Sequence, residues 1–296
     1  MDKRQTILVT GSTGQLGQSI QSIASDYPEY EFVFASRQHL DLSNEDSITN
    51  FFRRNTFDII INCAAHTAVD KAESEAELAS QVNHLAVRLL AAMAKKHQTK
   101  LIHISTDYVF SGKQCRPYIE TDEVGPHGVY GKTKLHGEQA ILKILTTNAI
   151  IIRTSWVYSE YGNNFVKTML KIGQERDVLN VISDQVGTPT YAGDLANAIL
   201  TIVQSQVFSE TDFKAGIFHF SNEGVCSWYD FTKTIFELAG IQCQVSPIES
   251  KDYPTPAARP HYSVLSKTKI KKMYDPVIPY WKDSIKHCLT ALQDKV

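Results

Sequence analysis

An α/β fold, a parallel sheet with helices on both faces followed by a smaller α/β unit, is predicted by three observations. Short, almost wholly apolar strands recur through the first half of the chain, helical patterns separate them, and a glycine-rich turn links the first strand to the first helix. Strands covered on both faces lose the alternation of a half-exposed sheet, so a run such as Ile59-Ile60-Ile61 indicates parallel pairing.

The elements follow in order. Thr6-Ile7-Leu8-Val9-Thr10 is a β-branched run that stops at Gly11, and a helical pattern extends from Gly14 to about Ala24. A second strand covers Glu31 to Ala35. A helix should then be opened by Ser43 as its cap, with Asp46 three residues on. Asp58 to Asn62 is a third strand, and one long Ala- and Leu-rich helix is expected from about Glu75 to Lys96. Lys100 to Ser105 and Ala149 to Arg153 are further buried strands, with a helix containing Tyr130 between them. After about residue 154 the rhythm loosens into turn-rich pieces (Gly187-Thr188-Pro189-Thr190, Asp252-Tyr253-Pro254-Thr255-Pro256) and helices near 192–204 and 228–239. The expectation is a nucleotide-binding domain over residues 1–154, to which later segments return, and a mainly substrate-binding domain over 155–296.

Composition excludes several classes. The 296 residues suffice for a full core, and 30 basic against 32 acidic residues leave a net charge of −2 without charge blocks. No nucleic-acid or membrane partner is expected, because there is neither a basic patch nor a run of ~20 apolar residues. The N-terminus enters the first strand with no apolar leader, which reads as cytoplasmic. Five scattered cysteines (Cys63, Cys115, Cys226, Cys243, Cys288) without C-x-x-C spacing argue against disulfides and zinc.

Two constellations carry chemistry. Gly11-Ser12-Thr13-Gly14-Gln15-Leu16-Gly17 sits at the first strand–helix junction, where glycines let a pyrophosphate approach backbone N–H groups at a helix N-terminus. That placement makes the sheet Rossmann-type and doubly wound, with a dinucleotide as ligand. The second strand ends in Ala35-Ser36-Arg37, with no acidic residue for a ribose 2′-hydroxyl, so Arg37 favours NADPH over NADH while NADH stays usable. Asp41 and Leu42 follow as adenine contacts, and Ala64, Ala65 and His66 follow the third strand as cofactor contacts, His66 being as well explained by a loop hydrogen bond. The second constellation is Tyr130 and Lys134, which share one helix face. An ammonium about 4 Å from the phenol is worth roughly 4 kcal/mol at an effective dielectric near 20, about three pKa units. Lys134 is therefore expected to lower Tyr130 toward neutrality. Ser105-Thr106-Asp107-Tyr108-Val109-Phe110 leaves the fourth strand on the side where such sheets bind ligands.

These blocks, with Asn62-Cys63-Ala64-Ala65, His66 to Glu73, Arg153 to Tyr158, Asp184 to Thr190 and Arg259-Pro260 with Ser263 and Leu265, resemble the extended short-chain dehydrogenase/reductases. Within them the likeness is to enzymes that reduce nucleotide-linked 4-keto-6-deoxysugars, and it covers nearly the whole chain. The resemblance implies hydride transfer from NAD(P)H to C4 of dTDP-4-dehydro-L-rhamnose. It gives Tyr130 the role of general acid, Lys134 that of ribose anchor and Thr106 that of carbonyl hydrogen-bond donor. Asp107, Tyr108, Trp156 and Arg259 are implied on the substrate side. Some members dimerise through a magnesium site built on acidic residues, one of them in the first helix. Gly17-Gln18-Ser19-Ile20 has no carboxylate there, so a magnesium bridge is doubtful and a monomer or another homodimer is expected. Two alternatives share the same residues: a nucleotide-sugar epimerase or dehydratase retaining NAD, and a non-catalytic dinucleotide-binding regulatory subunit. Asp107 lacks the neighbouring Glu that a dehydratase would carry.

Overall fold

The computed structural model describes residues 4–294. Its central sheet contains β1 (Gln5–Thr10), β2 (Tyr30–Ala35), β3 (Ile59–Asn62), β4 (Lys100–Thr106), β5 (Ala149–Thr154) and a sixth strand, Gly216–His219. All pairings are parallel, in the order Gly216–His219, β5, β4, β3, β1, β2. From β1 the chain first builds outward to β2 and then crosses to β3 on the other side. The carboxyl ends of β1 and β3 therefore flank a topological switch point, the place where α/β sheets bind ligands.

Alternate residues of these strands supply two cores. Ile7, Val9, Ile59, Ile61, Ile102, Ile150 and Ile152 pack with the Gln15–Ile23 and Ala192–Gln204 helices. Leu8, Ile60, Leu101, Ala149 and Ile151 face the other way, against the Ala86–His97 and Val129–Ile144 helices. A third cluster, which includes Tyr158, Val166, Phe231, Trp281 and Leu289, lies wholly beyond residue 154. It sits beside a two-stranded parallel sheet formed by Val178–Ile182 and Gln244–Ile248. Among the described residues no helix is long and apolar enough to cross a membrane.

Two local expectations are corrected. The Glu45–Arg54 helix is capped by Asn44, whose side chain accepts from the Ser47 N–H, and not by Ser43. Ser43 is engaged one turn earlier, donating its N–H and hydroxyl to Asp41, so the cap falls to the next residue. The long helix is also not uniform. Ala76–Ser80 and Ala86–His97 are α-helical, and Gln81–Leu85 between them is a π turn. The π turn carries the fully buried Asn83, whose carbonyl would lie 2.3 Å from any Cβ at Gly137. A π-bulge at such a close approach commonly marks a functional site.

Candidate active site

The glycine loop closes the switch point. Gly11 has φ of +63°, and a Cβ there would lie 2.8 Å from the Ala64 backbone, so loop and β3 exit touch only because Gly11 lacks one. A Cβ on Gly17 would meet the Gly11 carbonyl at 2.4 Å. The Gln15–Ile23 helix begins at Gly14 with no side-chain cap and no acidic residue in its first turn. Its N–H groups and dipole thus suit an anion, and the pyrophosphate of a dinucleotide fits this cradle. Thr13 is exposed on the loop, whereas the Leu16 side chain belongs to the core and offers only its backbone. Gln15 turns its amide away to bond Val157, Ser159 and Asn164, tying the loop to the second half of the chain.

At the end of β2, Arg37 is 73% exposed, 3.4 Å from Asp41 and within reach of Ser43. Its guanidinium stands at the surface, paired with Asp41. Asp41 organises its own turn, and the Ser43 hydroxyl holds its carboxyl below the usual range. Leu42 is 6% exposed and packs in the core, which leaves its side chain unsuited to the adenine contact expected of it. His66 contributes its backbone to Asn83 and its Nε2 to Glu75 at 2.9 Å, while Nδ1 is buried without a partner. Ala65 follows Ala64 on the same β3 exit.

Thr106 ends β4, and Tyr130 opens the Val129–Ile144 helix opposite it. Three contacts place that helix. Glu73 accepts the Val129 N–H at 2.8 Å, acting as a cap supplied from another element. Gly131 brings the first turn onto the Tyr108 carbonyl, which a Cβ would approach to 2.3 Å. The Tyr130 ring meets Tyr108 edge-on with centroids 5.5 Å apart. Thr106 donates to Asp107 at 3.0 Å and accepts from the Tyr108 N–H.

Tyr130 does not have the lowered pKa expected from Lys134. Desolvation of the hydroxyl pushes it up to about 12, partly opposed by a hydrogen bond with Thr106 and reinforced by Asp107. The reason is where the lysine goes. Lys134 is buried, donates to the Ile104 carbonyl at 2.6 Å and lies 3.3 Å from His103 Nε2. Burial lowers it to about 8, against Glu138 and Cys63, which favour its charge. Cys63 in turn is raised to about 12 by burial.

Sequence reasoning missed several residues of this centre. Asn83 joins the His66 backbone to Thr133 on the Tyr130 helix. Glu138, one turn past Lys134, accepts from Ser105 and makes a two-bond pair with Arg153, both partners almost fully buried. A Glu at i+4 from the lysine and a lone Arg ending an apolar strand were the available signals. Trp228 stacks on Trp156 with centroids 3.6 Å apart. Trp156 has φ of +49° and leaves β5 beside Thr106, since Thr154 and Thr106 are in register. Asp107 is buried, its Oδ2 has no hydrogen-bond partner, and burial raises it to about 6. Tyr108 is pushed up by burial and by Asp107. Arg259 makes a two-bond pair with Asp70 at 2.6 and 3.1 Å, a surface clamp that also holds its guanidinium near Tyr108. Among the described residues no group of three or more His, Cys, Asp or Glu could hold a metal ion.

Known proteins give this arrangement its relatives. The model of the RmlD substrate binding domain matches residues 5–294. A dTDP-4-dehydrorhamnose reductase of Aggregatibacter actinomycetemcomitans is 43% identical over 290 residues, covering 95% of this chain and 97% of the relative. The crystal structure of a dTDP-4-dehydrorhamnose reductase from Clostridium acetobutylicum superposes with a TM-score of 0.90 at 41% identity, covering 97% of this chain and 99% of the other. One from Bacillus anthracis, solved in complex with NADP, gives 0.90 at 34% identity and covers 98% of this chain and all of its own. With the match running nearly end to end in both sequence and structure, the chain belongs to the RmlD family of dTDP-4-dehydrorhamnose reductases.

Proposed function

We propose that this chain reduces the C4 keto group of dTDP-4-dehydro-L-rhamnose to dTDP-L-rhamnose, using NADPH in preference to NADH. The observation that carries the reading is the meeting of Thr106 and Tyr130 at the carboxyl edge of the sheet, beside the uncapped glycine-loop helix. The bound dihydronicotinamide supplies the hydride. Thr106, turning its hydroxyl proton from Asp107, hydrogen-bonds the ketone oxygen, and Tyr130 gives its proton to the alkoxide as it forms. A phenol raised to about 12 is fully protonated at neutral pH, so the acid is loaded before the substrate arrives. Lys134 binds the nicotinamide ribose and, once charged, stabilises the phenolate left behind. Gly11, Thr13, Gly14, Gln15, Leu16 and Gly17 hold the pyrophosphate, Arg37 a 2′-phosphate, and Ala64, Ala65 and His66 flank the cofactor. Asp107, Tyr108, Trp156 and Arg259 bind the nucleotide-sugar. The protein works in the cytoplasm as a monomer or homodimer, without a metal bridge, nucleic acid or membrane.

The test is cofactor oxidation with dTDP-, UDP- and GDP-linked 4-ketosugars, each with NADPH and with NADH. Turnover is expected with the dTDP-linked 4-keto-L-sugar and NADPH. No oxidation with any sugar overturns the reading, and stoichiometric NAD retained through purification assigns the chain to epimerase chemistry instead.

A further inference from the structure

Three buried polar side chains of neighbouring strands in the central sheet are placed side by side by the registers. Thr10 on β1 pairs with Asn62 on β3, and Asn62 with His103 on β4. All three are buried and lie on the face covered by the Val129–Ile144 helix. They form one continuous chain: the Thr10 hydroxyl donates to Asn62 Oδ1 at 2.6 Å, Asn62 Nδ2 lies 2.9 Å from His103 Nδ1, and His103 Nε2 lies 3.3 Å from Lys134 Nζ. Thr10 Oγ1 also accepts from the Ala64 N–H, so its own proton is available for Asn62.

The direction of these bonds sets the tautomer of the histidine. With Thr10 donating to its oxygen, Asn62 presents its NH₂ to His103, and Nδ1 must accept. A neutral ring then carries its proton on Nε2, pointing at Lys134. An ammonium facing that N–H would set donor against donor. An amine accepts from it and still donates to the Ile104 carbonyl.

We propose that His103 is a positioning residue: its ring, fixed by Asn62 with the proton on Nε2, favours the amine form of Lys134 in the free protein, so that at alkaline pH the lysine takes up a proton from solvent as the cofactor binds. The charged and titratable groups facing Lys134 are Glu138 on its own helix, Cys63 after β3 and His103 on β4. Glu138, paired with Arg153, and Cys63 both favour the lysine's charge, and burial outweighs them. Burial and Lys134 keep His103 itself well below its usual pKa, which leaves the ring neutral. The row begins at Thr10, next to Gly11, and thereby connects the lysine to the phosphate-binding loop. The inference rests on Lys134 being the cofactor-binding lysine of the reading above.

Two measurements test it without relying on turnover. In ¹⁵N-histidine-labelled free protein at about pH 9, where Lys134 is an amine, long-range ¹H–¹⁵N correlation, with His103 assigned by its loss in His103→Gln, should show a neutral ring with the proton on Nε2. A proton on Nδ1, or a charged ring, overturns the proposal whatever the protein reduces. The Kd of NADPH, followed by quenching of protein fluorescence, should rise about tenfold per pH unit above about pH 8, because each binding event then takes up one proton. In His103→Gln an amide oxygen can accept from an ammonium, and this break should move at least one unit upward. A break that stays in place in a folded His103→Gln protein overturns the proposal. Failure of the reductase assay with these two results intact would leave the proton coupling standing and remove only the substrate assignment.

Discussion

Burial raises the Asp107 carboxyl to about 6, next to a threonine whose hydroxyl it already accepts and with its second oxygen unpaired. A buried, unpaired carboxylate oxygen is costly unless a ligand satisfies it. Above pH 6 Asp107 is a carboxylate able to accept from a sugar hydroxyl, and below it holds a proton instead. The KM for the ketosugar should therefore rise as pH falls from 7 to 5, and Asp107→Asn should flatten that limb in steady-state kinetics. Folding responds in the opposite sense. Because the folded pKa lies above the unfolded value near 4, the folded chain binds more protons between about pH 4 and 6. Stability contributed by this group is full below pH 4 and is lost as pH rises through 6. The sequence placed Asp107 at a strand end facing ligand, but its charge state is set by burial in the folded chain, opposed by the distant Ser263 hydroxyl, which no local pattern reveals.

At the scale of elements, the Tyr130 helix is positioned by what its small residues let in. Gly131 would cost a free helix about 1 kcal/mol relative to alanine, so propensity alone favours Gly131→Ala. The Tyr108 carbonyl, 2.3 Å from the added Cβ, argues the reverse. The first turn would have to lift from the β4 exit, taking the Tyr130 hydroxyl with it. Misplacement of about 1 Å can cost on the order of 10²-fold in rate. Gly131→Ala should lower both kcat and Tm, and a Tm that rises with unchanged kcat would show that the helix has slack. Strands and helices of this half were legible because fully apolar runs and their spacing are local properties. The π turn at Gln81–Leu85 was not, since its cause is Asn83 packed on Gly137 more than fifty residues away. The Ser43 cap failed for a local reason: Ser43 gives both its donors to Asp41, and the helix starts one residue later on Asn44.

In the whole molecule the active centre draws on segments far apart in sequence, from the loop at Gly11 to the clamp of Asp70 by Arg259. Tyr130, Lys134 and Thr106 were singled out by residue type and spacing, and the folded chain brings the Tyr130 hydroxyl to Thr106. The expected direct pull of Lys134 on Tyr130 was not borne out, because the sheet gives the lysine other partners, His103 and the Ile104 carbonyl. The Trp156–Trp228 stack and the Glu138–Arg153 pair likewise join segments whose meeting only the folded chain discloses. What the assembled parts are claimed to do is transfer one proton from Tyr130 to a ketone reduced in the same step. The most direct measurement is kcat for Tyr130→Phe against the unsubstituted protein, with NADPH and dTDP-4-dehydro-L-rhamnose, after both are shown to bind NADPH equally. Removing the hydroxyl while keeping the ring should lower kcat by ~10²–10⁴-fold, the span of general acid catalysis. A Tyr130→Phe protein that turns over at the unsubstituted rate would contradict the account.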